Sequence, residues 1–382
     1  MNRESFFGGK TKELVLYKWP ITDLGTCEIG FGFCEKTGLV LQTTAVTPEM
    51  MIKYYANTAT YLNPNHDGNP MPGKVKDLDR LLQTIKFTLG RLPSSVLQLG
   101  SSDGYTLSCF RAAGAKRILG VEPSEKSREF AFSQYGVESL PDSAESFDTN
   151  EKFDLVVLTH VLEHFYDPLF VLRKLYKNLD NDGHILIEVP LWERLDKQPV
   201  GVLNFEHVNY FSEDTLIFLL YSAGYEPVYS AKLFGVNQYP VITVIAKKFE
   251  IDYPIKKYCA HSKSLLESYL IKEKYFWLNV GKKILAQYNP SHHTYIYGAG
   301  IHTSQLLSKV KILDTVTING VIDSSPTKWG KEIAGFVVEQ TGIIDELPFK
   351  SNVIISSAAS EEYIYEALAR RRTGLNLIRL YK

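Results

Sequence analysis

Residues 94–122 read SSVLQLGSSDGYTLSCFRAAGAKRILGVE, and the order of elements in them decides the fold. An apolar strand runs into a loop bearing Gly100 and Gly104, a helical pattern follows, and a second apolar strand ends on Glu122. Glycines let backbone come close to a ligand, and a carboxylate 22 positions beyond Gly100 can accept both hydroxyls of a ribose. The stretch points to a nucleoside cofactor. The plainer alternative is an ordinary strand–turn–helix of an α/β domain.

Outward from that loop, the apolar strands VLQLG, RILGVE, FDLVVLT and HILIEVP alternate with the helical patterns SEKSREFAFSQY and PLFVLRKLYKNL. Strands that are apolar at nearly every position and are separated by helices predict a parallel sheet covered on both faces. A helix stopped at Gly224 and the strand PVITVIAKK close this domain, over 76–250; it opens with the helical stretch VKDLDRLLQTIKFTLG, capped at Gly90. Residues 1–75 read as a small module of short strands and turns ending in the loop LNPNHDGNPMPGK. A helical connector over 251–289 leads to a second α/β unit over 290–382. There the turn Gly298-Ala299-Gly300 follows a strand and opens a helix, and Asp323 ends the next strand, a Rossmann-like order. Position 303 is Thr where a nicotinamide fingerprint wants Gly or Ala, so the turn either contacts a ligand phosphate or serves helix–sheet packing.

The chain has 382 residues, 45% hydrophobic, with a formal charge of −1, enough for two or three globular domains and without the basic excess that grips nucleic acid. Four cysteines do not suggest a disulfide framework, and no segment reaches the roughly 18 uninterrupted apolar residues of a membrane helix. The polar start MNRESFFGGKTKELV lacks the apolar core of a secretory signal, so cytoplasm is the expected compartment. Oligomeric state is not legible.

The loop G-S-S-D-G leads into FDLVVLTHVLEH with no dinucleotide half-repeat, an order that resembles the S-adenosylmethionine (SAM) site of class I methyltransferases. Four strings extend the likeness over about residues 27–380: CEKTGLVLQTTAVTPEMMIKYYANTATY, VLQLGSSDG, NFEHVNYFS, and YGAGIHTSQLL with VIDSSPTKWGK. Together they resemble the three-part sugar C-methyltransferases that act on nucleotide-linked deoxysugars. The resemblance implies a class I methyltransferase sheet, a C-terminal Rossmann-like α/β domain that anchors the nucleotide-sugar, and a small N-terminal module of zinc type. It also implies SAM as cofactor, no nucleic-acid or membrane partner, and a place in polysaccharide or natural-product biosynthesis. For SAM it implies Gly100, Ser102, Asp103 and Gly104 at the methionyl end, Glu122 at the ribose, Asp142 or Ser143 at the adenine and His160 in the pocket wall. For the acceptor it implies Gly298, Gly300, His302 and Asp323, with Asn204 in the catalytic string; Tyr54, Tyr55 and Tyr61 would form a lid over it or be plain core or surface aromatics.

Two departures modify that transfer. The family closes its first module on zinc with paired C-x-x-C ligands, but Cys34-Glu-Lys-Thr37 lacks the second thiolate, Cys27 has no such partner, and only His66 remains to help, so no metal is expected. The family's Tyr two positions before its Glu-His pair is here Asn204, so the phenol that accompanies methylation of the family's sugar carbon is replaced by an amide.

Methyl transfer needs nucleophile and methyl held in line and one proton removed from the acceptor. His207 is the expected base, since an imidazole of pKa near 6.5 accepts a proton near neutrality. Glu206 would orient a ring or bind a hydroxyl, and His164 would polarise the acceptor oxygen. Consecutive residues on a strand face opposite ways, so Glu206 and His207 need a bend to share a ligand. The plainer role for His207 is a bond into the start of the helix after Ser212. His160, four positions before His164, would share its face if the segment is helical. Carbon methylation through an enolate and oxygen methylation with the same base both remain open. An NAD-dependent sugar oxidoreductase or epimerase, or a non-catalytic nucleotide-sugar binder, are the readings from other classes.

Overall fold

The structure is a computed structural model, and it describes residues 3–44, 47–57, 72–193, 201–235, 239–249, 262–358 and 360–381. Three sheets carry it.

The first sheet contains β1 (Thr11–Ile21), β2 (Gly25–Cys34) and β3 (Val40–Thr44), all antiparallel, with helix α1 (Pro48–Asn57) following. β1 and β2, at 11 and 10 residues, are longer than the short strands expected of the module. Their alternating aromatics face one side, where Trp19, Ile29, Phe31 and Tyr54 form a buried cluster. Cys27 and Cys34 sit on the single extended strand β2. Seven residues at ~3.3 Å each separate them by roughly 23 Å, so these two thiols cannot share an ion. His66 lies outside the described residues.

Helix α2 (Pro72–Leu89) leads into the central sheet: β4 (Ser95–Leu99), helix α3 (Tyr105–Ala112), β5 (Arg117–Val121), α4 (Glu125–Tyr135), β6 (Ser139–Leu140), β7 (Phe153–Thr159), α5 (Pro168–Leu175) and β8 (Leu179–Pro190). A two-residue strand, β9 (Asn209–Tyr210), then leaves this sheet and pairs with β3, so the N-terminal sheet is completed by residues from far along the chain. Helix α6 (Glu213–Ser222), β10 (Tyr225–Phe234) and β11 (Pro240–Lys248) finish the central layer. Its order is β10-β11-β8-β7-β4-β5-β6, with β8, β7, β4, β5 and β6 parallel and β11 antiparallel to both neighbours. In β8, Ile185, Leu186, Ile187 and Val189 are each at most 1% exposed, as a strand covered on both faces requires. The exception is Glu188, equally buried and discussed below.

Helix α7 (Ser262–Gln287) connects to the third sheet, which holds β12 (Thr294–Tyr297), β13 (Gly320–Asp323), β14 (Glu332–Ile333), β15 (Phe336–Gln340), β16 (Asn352–Ile355) and β17 (Asn376–Ile378), with helices α8 (Ile301–Lys309) and α9 (Glu361–Arg371). The order β14-β15-β13-β12-β16-β17 is parallel except for the β14 edge, the pattern of a Rossmann half. In both parallel sheets the first strand lies at the topological switch point, where loops on either side diverge and leave a crevice. The mixed α/β class with two parallel sheets is as the sequence indicated.

Candidate functional site

A cavity of ≈ 330 Å³ opens at the carboxyl edge of the central sheet, bordered by Tyr55, Gly100, Ser102, Glu122, Asp142, Ser143, His160 and His164. Its floor is the loop after β4. Gly100 has φ +66°, and a Cβ there would run into the Val161 side chain, so this glycine is demanded both by conformation and by contact. Ser102 is also left-handed, at φ +50°, which turns its N–H toward Glu122. The Glu122 carboxylate accepts from Ser102 N and Ser124 N, each at 2.9 Å, and burial raises its pKa. Each oxygen keeps a lone pair for a second donor, so the pinned carboxylate can still receive ribose hydroxyls. Replacing Glu122 with Ala is expected to weaken SAM binding by about 1.5–3 kcal/mol, the range for hydrogen bonds to a charged acceptor, read by titration calorimetry.

Two residues of the expected donor loop do not border the cavity. Gly104 has φ +76° and its missing Cβ makes room for Ala131 (2.7 Å) and Val137 (3.2 Å), so it serves the packing of α3 on α4. Asp103 is buried, accepts from Tyr105 N and pairs with Lys74 at 2.5 Å, which ties α2 to the start of α3. Asp142 and Ser143 do border the cavity, and Ser143 also closes a small turn with Ser146.

His160 does not share a helical face with His164. It leaves β7 at φ +55°, and only Leu162–His164 form a short helical turn. Its ring stands between Glu163 (3.7 Å) and Glu188 (3.6 Å), while Glu188 takes a two-pronged contact from Arg80 of α2 at 2.9 and 2.8 Å. Burial alone would lower the His160 pKa, but the two carboxylates outweigh it and raise it to about 10. Burial would likewise raise Glu163, but its contact with His160 and the charge of His164 bring it down to about 2. His160 is therefore an imidazolium and Glu163 a carboxylate at neutral pH, although the His160 side chain keeps 35% of its surface open to the cavity. Arg80, Glu163 and Glu188 were missed in the sequence. A lone carboxylate inside the run ILIEVP was the available signal, because a strand covered on both faces does not hold a charge without a partner.

Tyr55 OH lies 2.9 Å from His164 Nδ1, which also meets the Glu206 carbonyl at 3.0 Å. A carbonyl only accepts, so that geometry assigns the proton to Nδ1. His207 stands edge-on to His164 with ring centroids 4.9 Å apart, one layer behind the cavity wall and beside Glu163, Trp192 and Tyr210. The expectation of a base titrating near neutrality is not met there. Burial, and then the charge of His164, push His207 down to about 3. Nor is His207 bonded into the following helix, since Ser212 and Thr215 cap α6 reciprocally. The bend needed between Glu206 and His207 is present, but the 2% exposed Glu206 side chain is not among the residues bordering the cavity, while its backbone carbonyl meets His164. Among the described residues, donor atoms of Glu163, His164 and His207 lie within 4.8 Å of one another, a cluster able to hold a metal. The charged His160 already balances Glu163, and we assign no ion there.

A narrow crevice between the first and third sheets is bordered by Thr22, Tyr54, Phe205, Gly300, Lys328 and Lys331. Gly300 caps α8 with no side-chain cap hydrogen bond, and Gly300, Ile301 and Ser304 of that helix start line the crevice. Several expected acceptor contacts are spoken for elsewhere. Asn204 uses Oδ1 to accept from Glu206 N and His207 N at 2.8 and 3.0 Å, and Nδ2 to reach Val202 O, so it shapes its own loop instead of facing a ligand. His302 bonds Ser356 and Tyr381 and lies against Trp277 inside the third domain, away from both cavities. Asp323 accepts from Ala299 N and Ser325 N and pairs with Lys328 at 3.0 Å, which fixes the glycine turn. Gly298, at φ +113°, approaches the Ser356 carbonyl closely; Tyr61 is outside the described residues.

Residues 73–230 match the family described as methyltransferase domain. Curated relatives include tRNA U34 carboxymethyltransferases of Alteromonas mediterranea, 29% identical over 29% of this chain and 36% of that protein, and of Campylobacter hominis, 30% identical over 24% and 35%. The chain spans about a third of the length of these relatives. Solved structures similar to it include the N-methyltransferase NodS of Bradyrhizobium japonicum, at 17% identity and TM-score 0.39 over 47% of this chain and 98% of that one. Another is the Burkholderia thailandensis 1,6-didemethyltoxoflavin-N1-methyltransferase with bound S-adenosylhomocysteine, at 17% identity and TM-score 0.43 over 56% and 95%. Among the described residues no helix is long and apolar enough to cross a membrane. With the family match, the strand order and a cavity whose glycine and carboxylate suit an adenosyl ligand, residues 73–230 form a class I methyltransferase domain of the SAM-dependent type.

Proposed function

We propose that the protein transfers a methyl group from SAM to a nucleotide-linked sugar, at a carbon beside a ketone. The observation that carries the reading is the adjacency of two sites through Tyr54 and Tyr55. The Tyr54 ring borders the crevice at the glycine turn, and Tyr55 borders the donor cavity. A diphosphate held by the start of α8 and by Lys328 and Lys331 would direct its sugar toward His164 and the donor. The crevice, now ≈ 10 Å³, has to widen to admit it.

When bound, SAM supplies an electrophilic methyl group and departs as S-adenosylhomocysteine. Once acceptor binding opens the His164 layer that separates His207 from the cavity, His207 takes the proton from the carbon beside the carbonyl, and the neighbouring Glu163 carboxylate stabilises the imidazolium as it forms. Tyr55, held by His164, donates to the carbonyl oxygen as negative charge gathers there, its own phenol kept protonated by burial.

The test is hydrogen exchange on a thymidine-diphosphate-linked 4-keto-6-deoxyhexose in D₂O, followed by NMR. Deuterium entering the carbon beside the ketone in the absence of SAM supports the enolate route. Methyl transfer without such exchange moves the assignment to a hydroxyl acceptor, with the same base. The tRNA acceptor in the relatives' names is not adopted, because the match to them covers under a third of this chain.

A further inference from the structure

Residues 201–208 form no helix or strand, yet their backbone is held almost atom by atom by side chains from elsewhere. The hydroxyl of Tyr269, on α7, accepts from Gly201 N and Val202 N at 3.0 and 3.1 Å. Gln42, on β3, donates to the carbonyls of Asn204, Phe205 and His207. Two further holds come from α8, the helix that begins at the glycine turn: Gln305 donates to Gly201 O at 2.6 Å and Lys309 to Leu203 O at 3.2 Å.

The α8 contacts are built in on both sides. Gly201 has φ +90°, and a Cβ on it would meet the Gln305 amide at 2.5 Å, so the position is open only because it is glycine. Lys309 is 2% exposed, pairs with the 1% exposed Glu273 at 2.7 Å, and lies 4.9 Å from the centroids of both Tyr17 and Trp19. A buried ammonium with a carboxylate, two aromatic faces and a carbonyl around it has one position.

We infer that α8 is the positioning element of the His207 loop, with Gln305 and Lys309 as positioning residues that tie the glycine turn to the proton-accepting imidazole. The inference rests on the proposed role of His207 in methyl transfer. The turn at one end of α8 receives the acceptor's phosphates, and within three turns the same rigid helix grips the segment that places His207. A shift of the helix on acceptor binding is thereby passed to the base through two hydrogen bonds.

The experiment uses the full chain with isotope-labelled histidine and SAM bound. The His207 ring signals are identified by their loss in His207→Asn. Gln305→Ala is expected to displace the His207 signals by more than their linewidth, while His292 and His302 stay in place and SAM affinity is unchanged. Gly201→Ala, which drives Gln305 out from the opposite side, is expected to give the same displacement. With an active acceptor, both variants lower kcat and leave KM unchanged. Conservative Gln305→Glu, which cannot donate to Gly201 O, is expected to fail to restore the signals. Folded, SAM-binding Gln305→Ala or Gly201→Ala protein with His207 signals at their original positions overturns the inference. Displaced His207 signals in a protein that methylates no nucleotide-sugar leave the positioning role standing and remove the proposed function instead.

Discussion

The His207→Asn variant is expected to lose about 10²–10⁴-fold in methyl transfer, the usual contribution of a positioned base, while binding SAM as before. Asn keeps the size of the ring and its half-buried place but cannot take a proton. Because His207 is held near pKa 3, the native protein carries it in the basic form throughout the range from pH 5 to 9. Its protonation therefore puts no acid limb into the pH profile of kcat/KM over that range. The low value has a cost for stability with a definite sign. The unfolded imidazole, near pKa 6.5, binds a proton more readily than the folded one, so this group's contribution is present above pH 6.5 and declines as pH falls toward 3. A pH–rate profile of the native protein beside His207→Asn checks the first statement, and urea unfolding of the two at pH 4.5 and pH 7.5 checks the second. An equal rate in the two, with an authentic acceptor, removes His207 from the chemistry.

The largest effect on stability is expected at Glu273. Replacing it with Leu leaves the Lys309 ammonium sealed between Tyr17 and Trp19 without its carboxylate, a change that costs about 3–5 kcal/mol. Burial already lowers the Lys309 pKa against the pull of Glu273, so the lysine of the variant will shed its proton more readily. Adding Lys309→Met to Glu273→Leu removes both charges and is expected to recover most of the loss. Urea unfolding of the two single variants and the double variant gives the coupling directly. Additive losses would show that the pair contributes nothing beyond its separate packing.

The donor cavity was legible because its determinants are local. Gly100 and Glu122 lie on two consecutive strand ends, and parallel pairing of Leu99 with Val121 brings them together without help from distant sequence. Gly104 looked like part of the same signal, yet its neighbours are Ala131 of α4 and Val137 just beyond that helix, and only packing shows which of two loop glycines faces the ligand. The charge chain from Arg80 through Glu188 to His160 spans 108 residues between its first two members and depends on the register of β8 against β7. No spacing rule reports it. The motif singled out His207 as a candidate, but its lowered pKa was not legible, because burial behind His164 is a property of the assembled loop. Asn204 and His302, expected at the acceptor, depart from that expectation for a common reason: a polar side chain beside a functional motif can equally satisfy nearby backbone or core groups, and here both do.

One small element has a larger consequence for engineering. Val40 and Leu41 find their outer partners in Tyr210 and Asn209, two residues that belong to the stretch carrying His207. Excising the first 75 residues would therefore orphan Asn209–Tyr210 and slacken the very segment that bears His207, while the excised piece would display a raw edge inviting self-association. Chimeras that aim to exchange acceptor preference between homologous proteins have to move both pieces as one graft.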